Sequence, residues 1–158
     1  MTKRKKILIF TVALFIPLVL TFLSLPGAYE TIMFKPRFNN LIYKTDHHAL
    51  LAACRKLMDE GYSGKYIYHW TNRDPNVENF PEIILQLKPT YVWIHDKDFV
   101  DIELFGGMSH YGVKAYAEDF NEPYEGYRYG NRKLIDGLWF ESDFLDLSNV
   151  DLEKKRRK

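Results

Sequence analysis

The chain has 158 residues, 22 Lys or Arg against 21 Asp or Glu, and one cysteine. That length suits a single domain of ordinary size, and one cysteine excludes a fold stapled by internal disulfides. Nine of the cations lie in clusters at the two ends, which leaves 13 against 21 acids, and a body of about −8 argues against a nucleic-acid-binding face.

In chain order, Lys3, Arg4, Lys5 and Lys6 make a basic segment over 1–6, followed by an uncharged apolar run over 7–25. At ~1.5 Å per residue that run reaches roughly 28 Å, close to the ~30 Å hydrocarbon core of a bilayer. It exceeds the usual ~7–15 residues of a secretory h-region, and no small-x-small cleavage site comes after it, so it reads as a retained signal-anchor. The cations before it outnumber Lys35 and Arg37 beyond it, which predicts a cytoplasmic N-terminus. The expected localisation is therefore single-pass membrane, with the remainder on the extracytoplasmic side and the membrane itself as a partner. Residues 26–45 read as a juxtamembrane connector with a short strand at Leu41–Tyr43, and 146–158 as a solvated basic tail.

The domain is predicted over 46–145. A helix is expected over Asp46–Glu60, with Thr45 or Asp46 as cap and Gly61 at the C-terminus. Leu50, Leu51, Cys54, Leu57 and Met58 share one apolar face, so Cys54 reads as a small buried hydrophobe. A β-prone run Tyr66–Trp70 and a loop Thr71–Asn79 come next. Pro81 and Pro89 then bracket a short helix with Ile83, Ile84 and Leu87 inside it.

An antiparallel meander of roughly four strands comes after it, at Tyr91–His95, Phe99–Phe105, His110–Tyr116 and Leu134–Phe140. Turns at Asp96-Lys97-Asp98 and Gly106-Gly107-Met108-Ser109 join the first three. A long polar and aromatic loop, Glu118 to Arg132, precedes the fourth. The expected class is α+β: a transmembrane helix, an amphipathic helix, a short helix and this sheet.

Those turns set a register in which His95 faces Phe99, Trp93 faces Asp101, Tyr91 faces Glu103, Asp101 faces Lys114, Glu103 faces Gly112 and Phe105 faces His110. Period-2 alternation then places Val92, Ile94, Val100, Ile102, Leu104, Tyr111, Val113 and Ala115 on a core face. The opposite face carries Tyr91, Trp93, His95, Asp101, Glu103, Phe105, His110 and Lys114, together with Phe99 and Tyr116. Aromatic planes beside carboxylates and imidazoles suit a ligand or a partner, and the first eight are the candidate binding residues. Closure of the Glu118–Arg132 loop over those rings is the plain structural alternative.

Dedicated chemistry is sparse. Asp46-His47-His48 is similar to the name-giving motif of the DHH phosphoesterases, but the further ligand motifs of those enzymes do not occur. Adjacent helical residues also point about 100° apart, which suits a polar first turn better than chelation. Gly106-Gly107 is a turn and not a phosphate loop, since no helix with a Lys-Ser/Thr pair comes after it. No cofactor and no metal site is expected.

These residues support three functional readings. The first is a non-catalytic envelope module that binds an envelope protein or polymer through the aromatic-polar face. The alternative is a small hydrolase or metal-dependent enzyme using His95, His110, Asp101 or Glu103. A pilin-like subunit is third, on architecture alone.

Overall fold

The computed structural model describes Ile16 and residues 35–68, 73–105, 110–120 and 131–143. The chain divides into two compact units, Met1–Phe38 and Asn39–Lys158. In the first, the described residues are an exposed Ile16 and the start of a one-turn helix α1 (Lys35–Asn39). The second carries an antiparallel sheet and the helices packed on it.

The membrane-anchored architecture is corrected. Among the described residues no helix is long and apolar enough to cross a membrane. The longest helix among the described residues, α2 (His47–Asp59), has 13 residues and carries Arg55 and Lys56. It spans ~20 Å at ~1.5 Å per residue, against the ~30 Å a bilayer core requires. The span expected over 7–25 lies outside the described residues, Ile16 apart. Among the described residues, the signal-anchor, the membrane as partner, the single-pass localisation, the extracytoplasmic placement, the envelope protein or polymer partner and the pilin-like layout therefore have no helix to rest on. The tail over 146–158 is likewise outside the described residues.

Helix α2 begins where the sequence places it. Asp46 Oδ1 accepts from the backbone N–H of His48 at 3.0 Å and of Ala49 at 3.1 Å, satisfying two orphan donors of the first turn. His47 is buried, and its Nε2 donates to the Leu41 carbonyl at 2.9 Å, so that histidine serves the backbone. At the other end Gly61, at φ 79°, takes the left-handed conformation that lets Tyr62 N–H reach the Leu57 carbonyl. The strand expected at Leu41–Tyr43 is corrected as well. Asn40–Lys44 is a π-helical turn, closed by Thr45, whose N–H and hydroxyl both donate to the Asn40 carbonyl.

Among the described residues the sheet has six strands where the sequence suggests four. They are β1 (Gly64–Ile67), β2 (Tyr91–His95), β3 (Phe99–Phe105), β4 (Tyr111–Tyr116), β5 (Arg132–Ile135) and β6 (Leu138–Ser142), in the spatial order β1-β2-β3-β4-β6-β5. A one-turn helix α3 (Glu82–Leu85) comes after a 3₁₀ turn at Pro75–Asn79. Two features of the chain account for the additional strands. The run Tyr66–Trp70 holds the end of β1, which pairs with β2. Leu134–Phe140 is two strands, because Asp136-Gly137, with Gly137 at φ 82°, folds it into a hairpin. At the β1 edge the Asp74 N–H donates to the Ile67 carbonyl at 2.9 Å, and at the β5 edge the pairing is interrupted by a bulge between Lys133 and Ile135.

The β2–β3 register is the expected one at Tyr91–Glu103, Trp93–Asp101 and His95–Phe99. Between β3 and β4 the Asp101–Lys114 and Glu103–Gly112 pairs also hold, but a bulge at Glu103–Phe105 makes Phe105 pair with Tyr111 and not with His110. Leu50, Cys54, Leu57 and Met58 of α2 are buried with Val92, Ile94, Val100, Ile102, Leu104, Val113 and Ala115, which puts the core between α2 and the inner face of the sheet. Each fully buried Leu or Ile there contributes roughly 1.5–3 kcal/mol. Cys54 lies in that core, and burial pushes its thiol up to about 12, which leaves it an unreactive apolar filler at neutral pH.

Candidate functional site

The outer face of the sheet, opposite α2, carries a cavity of about 420 Å³ whose floor is Asp101, Glu103, Gly112 and Lys114 of β3 and β4. Tyr91 and Tyr111 stand beside it, and His110, Asn131, Glu141, Ser142 and Asp143 complete the wall. Cross-strand pairing explains the assembly. Tyr91, Glu103, Gly112 and Glu141 form one row across four strands, and Trp93, Asp101, Lys114 and Trp139 form the next.

The floor requires a glycine. A Cβ at position 112 would collide with the Ile102 carbonyl and come within 3.1 Å of the Glu103 Cα, since the bulge brings the β3 backbone against β4 here. The same bulge aims His110 back along the sheet. Its Nδ1 donates to Glu103 Oε2 at 2.7 Å, while its backbone N–H donates to Asp143 Oδ1 at 2.7 Å. Glu103 is buried, and a side-chain hydrogen bond also joins it to Tyr91. Burial first, then the negative charge of Asp101 and that bond to Glu103, hold the Tyr91 phenol well above its ordinary range, so it remains a neutral donor. Lys114 Nζ donates to Glu141 Oε2 at 2.8 Å, a pair with both side chains largely covered.

Asp101 differs from its neighbours. Among the described residues it accepts no hydrogen bond, and its carboxyl is pushed up to about 6. Burial is the main cause. Glu141 and Glu103 add to it, while Lys114 and Lys65 oppose it. A strongly shifted carboxyl in a concave site makes Asp101 a candidate functional position.

Beside the cavity runs a strip of rings. Trp93 packs on His95 with centroids 4.1 Å apart, His95 stacks on Phe99 at 4.0 Å, and Phe99 continues to Tyr116 and Phe120. Burial lowers the affinity of His95 for a proton, and the charge of Lys114 lowers it further, with Asp96 and Asp98 opposing. Lys65 lays its ammonium 3.6 Å above the Tyr91 ring centroid and 6.0 Å from that of Trp93.

Of the eight candidates, the structure gathers Tyr91, Asp101, Glu103, His110 and Lys114 around the cavity. It places Trp93 and His95 in the adjoining strip and stacks Phe105 on Tyr111 at 5.9 Å. His95 and His110 belong to different neighbourhoods, the first among rings and the second on Glu103. Among the described residues no group of three His, Cys, Asp or Glu is arranged to hold a metal ion. The sequence reading missed Glu141, Ser142 and Asp143, a wall built by the end of β6 and the residue after it. The signal was present in Asp136-Gly137, a strong hairpin turn flanked by apolar residues.

No protein-family model, curated protein or solved structure matches the chain.

Proposed function

We propose that this domain binds a small organic cation, a protonated amine or guanidine, in the cavity on the outer face of its sheet. Asp101 carries the reading. Each of the other three carboxylates around the cavity already meets a donor: Glu103 from His110, Glu141 from Lys114, and Asp143 from the His110 backbone. Asp101 meets none among the described residues. A carboxylate taken out of water costs several kcal/mol unless a donor or a cation compensates it, and an ammonium from solution supplies both. Lys114 and Lys65 act on Asp101 through space, but neither donates to it, since the Lys114 ammonium is paired with Glu141 and that of Lys65 lies over the Tyr91 ring. Because the remaining ionisable groups are locked in pairs, the site suits holding a ligand more than transforming it.

Isothermal titration of the full-length chain at pH 7.5 with ethylammonium and methylguanidinium tests the reading, with acetate as the control anion. One-to-one binding of the cations that disappears in Asp101→Asn is the expected result. Cation binding that survives Asp101→Asn, or a preference for acetate, contradicts it.

A further inference from the structure

We infer that the cation taken by this cavity is amphipathic, an aralkylamine whose charged head meets Asp101 and whose apolar arm lies on Trp93. This rests on the cation reading above and adds the chemistry of the rest of the ligand. Trp93 stands directly opposite Asp101 across β2 and β3, on the same face of the sheet. Side chains so paired have Cβ atoms ~5 Å apart, within the reach of a two-carbon linker between an amine and a ring. Trp93 is 40% exposed, unusual for tryptophan beside a largely covered carboxylate, and Ile67 extends the apolar surface on β1, equally exposed.

The ring is also supported before any ligand arrives. His95 packs against Trp93 at a tilt and is itself backed by Phe99, which lowers the ordering cost of docking against the indole. A ring of the adjacent row already accepts a cation, as the Lys65 ammonium over Tyr91 demonstrates. A bare ammonium engages only the carboxylate end of this surface. A ligand with an aromatic arm covers both the carboxylate and the exposed indole, and its ring gains an offset or edge-on neighbour.

The test compares ethylammonium, phenethylammonium and uncharged 2-phenylethanol, titrated into the full-length chain, Trp93→Ala, Trp93→Phe and Asp101→Asn. The expected result is phenethylammonium binding about tenfold more tightly than ethylammonium, a factor of ten being ~1.4 kcal/mol. Trp93→Ala should erase that advantage and leave ethylammonium within about twofold of its original affinity, while Trp93→Phe keeps most of the advantage. Asp101→Asn should lose both amines, and 2-phenylethanol should not compete with them. Equal affinity of the two amines, or an equal loss of both in Trp93→Ala and Trp93→Phe, overturns the aromatic arm and leaves the cation reading standing. Competition by 2-phenylethanol as strong as that of phenethylammonium overturns it too, since the site would then be apolar only. Failure of every amine to bind the unaltered chain removes the cation reading itself.

Discussion

The cavity and the ring strip share strands β2, β3 and β4 and lie on one face of the sheet, yet they treat a histidine in opposite ways. In the cavity His110 is oriented by a carboxylate, with its Nδ1 on Glu103 at 2.7 Å. In the strip His95 is held by ring planes, between Trp93 and Phe99 at about 4 Å from each. The first arrangement fixes a hydrogen-bond direction. The second fixes only a plane, and it discourages charge on the imidazole. A sheet face rich in both aromatics and acids need not be one site. Here the bulge at Glu103–Phe105 turns β3 so that acids converge at one end, while unbroken pairing keeps the rings in file at the other.

Gly112→Ala should break the cavity end most severely. The added methyl meets β3 backbone, which cannot rotate out of the way as a side chain can. A loss of about 3 kcal/mol in urea denaturation is expected, at the upper end for overpacking. Amine binding should fall with it, while the Trp93–His95–Phe99 rings keep their near-ultraviolet dichroism. An unchanged denaturation midpoint would mean that β3 and β4 do not approach as described.

Asp101→Asn should have the contrary effect on stability. The folded chain keeps this proton up to about 6, whereas the unfolded chain releases it near the ordinary aspartate value of 3.8. Between those values the native state binds more protons, so stability falls as pH rises through the window and the full cost is present above about 6. The neutral amide removes that cost. The variant should gain on the order of 2–3 kcal/mol at pH 7.5, with the gain vanishing below about pH 4. The opposite sign in a series of thermal melts would show that Asp101 is already paired. A residue that weakens the fold but is needed for binding is a common sign of function.

At the ring end His95→Phe gives the smallest effect, again opposite in sign. Because His95 takes up a proton less readily in the folded chain than its ordinary value of 6.5 implies, it costs stability as pH falls below that value. His95 is partly exposed, so solvent screens the cost. The phenylalanine variant should lose less melting temperature than the parent between pH 7 and pH 5. An unaltered slope would mean that the stack tolerates an imidazolium.

Much of the fold was legible because alternation survives in the strands. Val92, Ile94, Val100, Ile102, Leu104, Val113 and Ala115 are buried as their period-2 spacing implies, and Asp96-Lys97-Asp98 set the β2–β3 pairing. The bulge was not legible, since one extra residue in β3 leaves no mark on hydrophobicity and its partner is a glycine with no side chain to count. His110 therefore lands on Glu103 where Phe105 was expected. Half of the cavity wall was hidden for another reason: β6 brings in Glu141, and Asp143 just beyond it, only after Asp136-Gly137 reverses the chain, and a seven-residue run read as one strand ends before them. The helix expected over 7–25 shows a different limit, because an apolar run of bilayer length carries no information about the structure of the domain beyond it.

The two edges of the sheet bear on how this protein behaves at high concentration. Open strand edges act as templates on which further chains add, and long, flat ones seed fibres. Here both outermost strands have four residues; one has a carbonyl capped by Asp74, and the other is bent by a bulge and carries Arg132 and Lys133. Such edges offer little to a second copy. Edges of this kind disfavour sheet growth from one chain to the next, which matters for a domain that leaves an aromatic strip partly exposed.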